Sequence, residues 1–324
     1  MFSEDSIAAS LSPKSLELII LPTEKCNFRC TYCYEDFSIG KMKRPVIEGI
    51  KNLISNRAPR LKILNLSWFG GEPLLAKDII FDITQHARDL CNENHVSMHS
   101  GFTTNGYLLT QDLLSDLTNA SPSSFQITLD GDKEWHDQTR LLANKKGSFD
   151  RLWGNLIAMR NSKMKFSVTL RLHLHKENID SMRRLCHLIE KNFTSDNRFS
   201  TYFHRITDLG GGSVSASSVL TKSEYLDAIS SITDVKKAGD RPISEMHLNG
   251  YICYAAKPNS IMIRADGSLG KCTVALNDPR NSVGRIKEDG SLEISNAKLQ
   301  HWFSGYADLS KNTLSCPLAT LSNP

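Results

Sequence analysis

Residues 16–33 read LELIILPTEKCNFRCTYC. The apolar run from Leu16 to Leu21 reads as a short buried strand, Pro22 ends it, and a loop holding Cys26, Cys30 and Cys33 follows at once. A strand that runs into such a loop opens a βα unit, and the same alternation recurs downstream. The apolar periodicity predicts helices over Val46 to Asn56, Asp78 to Asn92, Gln111 to Asn119, Phe149 to Asn161 and Ile179 to Lys191. It predicts strands over Ile63 to Phe69, Val96 to Thr103, Phe125 to Leu129, Lys165 to Leu174 and Phe199 to Ile206. Six strands separated by helices imply a parallel sheet with right-handed crossovers, two units short of a closed eightfold barrel. The expected fold is therefore α/β, a partial (β/α)6 barrel over residues 16–208.

Outside the barrel, residues 1–15 read as a polar lead-in and the Gly/Ser-rich stretch 209–222 as a linker. Residues 223–324 form a small C-terminal module with a helix over Ser223 to Ser230, followed by SIMIRADGSLGKC, in which Asp266-Gly267 between apolar runs predicts a β-hairpin. The chain has 324 residues, 39 Lys+Arg against 35 Asp+Glu, and a net charge of +4 with no dense basic face, which argues against nucleic acid as a partner. No apolar stretch approaches the roughly 18 residues of a membrane span, and the N-terminus lacks a signal-peptide pattern, so a cytoplasmic location is expected. Eight cysteines in such a chain are reduced thiols or metal ligands rather than a disulfide framework.

Three cysteines within eight residues can wrap one compact inorganic centre. Zinc sites use four ligands, and no fourth is adjacent here. An iron–sulfur cube on three cysteines keeps one iron open for a small molecule. A thioredoxin-like pair at Cys30 and Cys33, or ordinary thiols, is the alternative. Elsewhere, strand alternation puts Ser124, Gln126, Thr128 and Asp130 on one face of the fourth strand, and Thr169, Arg171, His173 and His175 on one face of the fifth. A buried strand has no reason to carry an Arg and two His on its inner face unless that face meets a polar ligand. Tyr202, His204 and Ile206 alternate similarly on the sixth strand, while Cys91 and Cys186 fall inside helical patterns and read as core.

CNFRCTYC, with Tyr32 just before its third cysteine, resembles the signature loop of the radical S-adenosylmethionine (SAM) enzymes. The resemblance implies a 4Fe-4S cluster on Cys26, Cys30 and Cys33 whose open iron chelates SAM and cleaves it to a 5′-deoxyadenosyl radical. Gly70-Gly71-Glu72-Pro73 resembles the family's GGEP motif, and Thr104-Asn105-Gly106 its TNG turn, both implied to meet SAM. SSFQITLDGDKEWHDQTR resembles the element of peptide maturases in which Thr128 stands where Ser is usual and Arg140 is the implied partner of the SAM carboxylate. Asp130, within that element, and Arg171, His173 and His204, from the alternation of the fifth and sixth strands, are the candidate catalytic residues. Cys253, Cys272 and Cys316 resemble the auxiliary-cluster module of the SPASM/twitch subgroup, yet supply ligands for one auxiliary cluster instead of two, with His301 as an optional fourth ligand.

Members with this architecture mature ribosomal peptides or proteins. The implied function is hydrogen abstraction from a ribosomally made precursor peptide followed by a C–C, C–O or thioether side-chain cross-link. A formylglycine-generating sulfatase maturase is the alternative enzyme, and a non-catalytic Fe–S or zinc redox sensor the alternative of another class. The implied partners are the precursor peptide and an electron donor such as flavodoxin or ferredoxin. With only a short polar segment before the first strand, a leader is expected to dock on the barrel or a separate partner.

Overall fold

The computed structural model describes residues 2–207, 219–233 and 251–321. In chain order the main elements are α1 (Glu4–Leu11), β1 (Ser15–Ile20), β2 (Phe28–Cys30), α2 (Arg44–Arg57), β3 (Ile63–Trp68), α3 (Lys77–Glu93), β4 (Ser97–Thr104) and α4 (Gln111–Ala120). They continue with β5 (Ser123–Leu129), α5 (Lys133–Thr139), β6 (Arg140–Leu142), α6 (Phe149–Asn161), β7 (Phe166–Leu174), α7 (Ile179–Phe193), β8 (Phe199–Arg205) and α8 (Lys222–Thr233). The C-terminal part holds β9 (Ser260–Ile263), β10 (Ser268–Gly270), β11 (Gly284–Ile286) and β12 (Leu292–Ile294), then short helical turns. The six expected barrel strands are β1, β3, β4, β5, β7 and β8, with helices between them, so the partial barrel is the fold. Of the stretch expected as a linker, 209–218 lies outside the described residues.

The described residues divide into two compact units, the first within 1–25, 37–101 and 245–324, the second within 26–36 and 102–244. In the first, β1 pairs in parallel with β3 on one side and β9 on the other, so Leu18 stands between Leu66 and Ile261, all buried. The expected hairpin is present: β9 and β10 pair antiparallel, and Gly267 takes φ +86° at the turn. Such a backbone favours glycine because it has no Cβ to clash. Helices α2 and α3 bury Ile47, Ile50 and Ile54 and Ile79, Ile83 and Ala87, the three-to-four spacing of an amphipathic helix. Residues 1–15 are not bare lead-in, because Ser3 caps α1 through the Ser6 N–H and Phe2 packs on Ile252, Ala256 and Leu314.

In the second unit β5, β7 and β8 run parallel, with Leu129 opposite Leu172 and Leu172 opposite Phe203. A separate antiparallel ribbon, absent from the sequence expectation, joins β2 to β6 and sets Cys30 opposite Arg140. Among the described residues no helix is long and apolar enough to cross a membrane.

Candidate active site

The cysteine loop is held from both ends within the second unit. The β2–β6 ribbon is extended by the Thr31 N–H donating to the Thr139 carbonyl (2.9 Å) and the Ala143 N–H to the Asn27 carbonyl (2.8 Å). Asn105, from the turn after β4, donates to Asn27 Oδ1 at 2.8 Å and approaches Cys26 Sγ at 3.9 Å, while the Phe28 N–H donates to the same sulfur at 3.3 Å. All three thiols of the loop stand outside any disulfide and are partly exposed. Burial pushes the Cys30 thiol up to about 11 against the lowering charge of Arg140, and burial also raises Cys33. Both thiols keep their protons until a metal displaces them.

Beneath the loop lies a buried polar network. The Tyr32 phenol donates to Asp130 Oδ1 at 2.8 Å and accepts from Arg140 Nη1 at 2.7 Å, and the Thr139 hydroxyl donates to Asp130 Oδ2 at 2.7 Å. Asn178 bridges the carbonyls of Asp130 and His173, and the Asp130 N–H reaches His136 Nδ1 at 3.5 Å. His173 Nδ1 stands 3.5 Å from Asp130 Oδ1, an electrostatic contact longer than a good hydrogen bond. Burial alone would raise Asp130, but the neighbouring His173 and the charge of Arg140 hold it well below the usual carboxylate range. Burial pushes His173 down to about 4, and burial with the Arg140 charge does the same to His136, so both rings are neutral at pH 7. Burial raises Tyr32 well above its ordinary value, while Arg140 is itself raised because the phenol, Cys30 and Asp130 outweigh its burial. Arg140 Nε, His136 Nε2 and His173 Nε2 are buried without hydrogen-bond partners, which leaves donor and acceptor capacity at the centre of the network.

The expected inner face is present. Thr128 stands opposite Arg171, Arg171 opposite Tyr202, and His173 opposite His204, while the Tyr202 hydroxyl reaches across to Gln126 Oε1 at 3.1 Å. The His173 ring lies 5.2 Å from Tyr32 and 5.4 Å from His204. Arg171 is half-buried and its Nε has no partner. Within this one unit the fold thus gathers Cys26, Cys30, Cys33, Tyr32, Asn105, Thr128, Asp130, Arg140, Arg171, His173 and His204. His136, Thr139 and Asn178 were missed in the sequence. His136 and Thr139 stand three apart on α5, inside the stretch that follows Asp130, and that helical spacing was the available signal.

Gly70–Pro73 belong to the first unit and face the chain leading to the cysteine loop. A Cβ on Gly70, which has φ +118°, would meet the Thr23 carbonyl oxygen at 2.3 Å, and one on Gly71 the Lys25 carbonyl oxygen at 2.6 Å. Close approach of backbone to backbone is what these glycines permit here. The Glu72 N–H donates to the Lys25 carbonyl (3.0 Å), and its buried carboxylate caps the turn at Pro73 through the Leu74 N–H (3.1 Å). Glu24, in the same stretch, forms a buried ion pair with Arg264 at 2.6 Å.

The C-terminal cysteines also belong to the first unit. Cys253 follows the first segment of the module, its N–H donating to the Leu314 carbonyl (2.9 Å); Cys272 follows β10, and Cys316 ends a helical turn. Asn281 fixes the Cys272 loop by accepting from the Lys271 and Cys272 N–H groups (2.8 and 2.9 Å) and donating to the Cys272 and Ala275 carbonyls (2.8 and 2.9 Å). Burial pushes Cys253 up to about 11 and also raises Cys272; Cys253 is half-buried, Cys272 buried and Cys316 exposed. Beside them Lys271 is fully buried. His301 is exposed. Among the described residues no three His, Cys, Asp or Glu side chains are close enough to share a single metal ion. A cube of irons takes each thiolate at a different iron, so separated soft donors with buried, unpartnered polar atoms around them fit a cluster at Cys26, Cys30 and Cys33. The C-terminal thiols have the same donor chemistry.

The family model described as the radical SAM superfamily matches residues 20–189. A cysteine-type anaerobic sulfatase-maturating enzyme of Clostridium novyi (strain NT) is 31% identical over 165 residues, covering 48% of this chain and 43% of the relative. The chain therefore spans less than half the length of this curated relative. In structure it is similar to native anSMEcpe with bound AdoMet and Kp18Cys peptide (TM-score 0.67, 17% identity, 88% of this chain and 80% of that one). It is similar also to SuiB of Streptococcus suis bound to precursor peptide SuiA (TM-score 0.58, 15% identity, 92% and 68%).

Proposed function

The chain belongs to the radical SAM superfamily, and on that premise we propose that it modifies a ribosomally made precursor peptide, joining two side chains through a C–C, C–O or thioether bond. In this proposal Cys26, Cys30 and Cys33 hold a 4Fe-4S cluster that, with SAM bound, supplies hydrogen abstraction at an unactivated carbon. The observation that carries it is the polar ladder of Gln126, Thr128, Arg171, His173, Tyr202 and His204 across β5, β7 and β8, in the same unit as the cysteine loop. Successive donors and acceptors along three parallel strands suit an extended peptide backbone better than a compact metabolite. Structural relatives that hold peptides support the same substrate class.

The residues divide the work by environment. Arg140 is the candidate partner of the SAM carboxylate, since its unpartnered Nε leaves a charged donor available even while Nη1 holds Tyr32. Asp130, whose two oxygens are occupied by Tyr32 and Thr139, positions the loop and Arg140 and does not itself exchange protons with substrate. His173, neutral and with Nε2 unpartnered, is the candidate acceptor of the proton released when the cross-link forms. Asn105 and Thr128 line the approach, and Arg171 and His204 orient the peptide. Cys253, Cys272 and Cys316 hold one auxiliary Fe–S cluster, and a flavodoxin or ferredoxin supplies the electron.

A formylglycine-generating sulfatase maturase is the second candidate, favoured by the identity to the Clostridium novyi enzyme. Anaerobic incubation of the reconstituted protein with SAM, reductant and a precursor peptide encoded beside its gene separates the two. The cross-linking proposal expects 5′-deoxyadenosine together with a peptide lacking two hydrogens and resistant to cleavage between the joined residues. Conversion of Cys or Ser to formylglycine in a sulfatase-derived peptide, with the precursor untouched, would establish the second candidate. SAM cleavage that leaves both peptides unchanged would overturn the peptide assignment. Arg140→Ala is expected to weaken SAM binding by about 1.5 to 3 kcal/mol, on the order of tenfold to a hundredfold in Kd by calorimetry.

A further inference from the structure

We infer that Arg171 receives a carboxylate of the substrate, the side chain of an Asp or Glu within the segment of peptide that is modified; the inference rests on the peptide reading above. Arg171 lies on β7, with Thr128 of β5 opposite it on one side and Tyr202 of β8 on the other. Both neighbours present hydroxyls, and that of Tyr202 donates to Gln126 Oε1 at 3.1 Å. Among the described residues the Arg171 guanidinium makes no hydrogen bond and no ion pair, and its Nε is fully buried. Every other half-buried arginine among them has a partner: Arg198, for example, bonds Asp196 and the carbonyls of Ser162 and Met164, and Arg264 bonds Glu24.

Nothing along the ladder answers this charge. The strands β5, β7 and β8 contain no Asp or Glu. Asp130 follows β5 directly, but Tyr32 and Thr139 occupy its two oxygens. A half-buried cation without an acceptor costs free energy, and the fold recovers none of it until an anion arrives. The planar fork of a guanidinium takes a carboxylate through two parallel hydrogen bonds, and the Thr128 hydroxyl opposite can add a third donor. The SAM carboxylate has its own candidate in Arg140, which leaves the peptide as the source. His173, the candidate proton acceptor, stands two residues further along β7, a rise of about 7 Å in a strand. In an extended peptide a carboxylate held at Arg171 is therefore only a few residues from the reacting carbon, inside the modified segment and not in a distant leader.

The test uses the reconstituted holoenzyme with SAM and the precursor peptide encoded beside its gene, without reductant so that no turnover occurs. Further peptides carry Asn or Gln in place of each Asp or Glu in turn, and one has an amidated C-terminus. Peptide and SAM Kd by calorimetry and the apo melting temperature are measured for the parent, Arg171→Gln and Arg171→Lys. In the parent, neutralising one acidic residue near the joined residues should raise the peptide Kd on the order of tenfold to a hundredfold. Arg171→Gln should lose the same factor with the unaltered peptide and nothing more with the neutralised one, while SAM binding and apo melting hold. Arg171→Lys keeps the charge without the fork and should recover part of the loss. Losses that simply multiply would overturn the pairing, as would a parent that responds to none of these peptides, or only to C-terminal amidation or to an acid in the leader. Weaker SAM binding by Arg171→Gln with an unchanged peptide Kd would assign the residue to SAM instead. A marked fall in apo melting, or failure to fold, would reveal a partner within the chain and overturn the inference. A parent that neither binds nor, with reductant, modifies any peptide would overturn the peptide reading and this role together, whereas a peptide modified without coupling to Arg171 overturns only this role.

Discussion

Two sets of three cysteines are built in opposite ways. Cys26, Cys30 and Cys33 come from eight consecutive residues, are partly exposed, and owe their placement to a ribbon and a buried Tyr–Asp–Arg network beneath them. Cys253, Cys272 and Cys316 are drawn from across the module: a single buried Asn fixes the Cys272 loop after the hairpin, and the Cys253 N–H is held by the Leu314 carbonyl of the C-terminal turns. In the first set the sulfurs sit on a support that is complete without them. In the second the sulfurs and their support are one structure. The first set is uniformly half-buried, whereas the second is graded, with Cys272 buried, Cys253 half-buried and Cys316 exposed.

The largest expected difference follows from that contrast. Replacing Cys26, Cys30 and Cys33 together by Ala should abolish 5′-deoxyadenosine formation while leaving far-UV circular dichroism and the apo melting temperature unchanged, because the thiols are not core. Appreciable unfolding of that variant would break the distinction between support and cargo. Next in size, Asp130→Ala should cost about 3–5 kcal/mol in urea denaturation, since the hydroxyls of the half-buried Tyr32 and Thr139 lose their acceptor and Arg140 loses the nearby negative charge. Full stability in that variant would show the network to be dispensable to the loop.

Acid should weaken the first support selectively. His136 and His173 have folded pKa values of about 4, below the ordinary 6.5, so between those limits the unfolded state binds more protons and stability falls as pH falls. The loss should reach about 3 kcal/mol for each ring by pH 4. His136→Phe should remove one share. The lowered Asp130 contributes stability that is present above its unfolded value and disappears only at still lower pH. A flat stability profile from pH 6.5 to 4 would contradict the burial of both rings. Smallest, Asn281→Ala should cost about 2–3 kcal/mol, because four hydrogen bonds lose their partner, and should lower iron retained by the C-terminal set but not by the loop. Equal iron loss from both sets would erase the contrast.

The same contrast explains what was legible in the sequence. The cysteine loop, the alternation of β5 and β7, and the Asp266-Gly267 hairpin each lie within a short window, where periodicity and turn chemistry act locally. The pairing of β2 with β6, the burial of Arg140 by Tyr32, and the grip of Asn281 on Lys271 and Cys272 join residues that are distant in sequence or lack any repeating pattern. Lys271 is the sharpest case: in composition it is a surface residue, and only the folded module encloses it. Helix α1 was read as polar lead-in because its buried anchor, Phe2, precedes it and its partners Ile252, Ala256 and Leu314 come from the far end of the chain.

The parallel pairing of β1 with β9 sets Glu17 opposite Ser260 and Ile20 opposite Ile263. During synthesis β1 can dock against β3 soon after it emerges, yet its other edge must wait for β9, far further along the chain, to leave the ribosome. An unpaired apolar edge held open that long is an invitation to pair with a neighbouring chain. Closing so long a loop is also slow compared with the local βα steps. Maturation of the strand that leads into the cysteine loop is thus timed by the arrival of the C-terminal module, and the chain is most vulnerable to aggregation in the interval before β9 arrives.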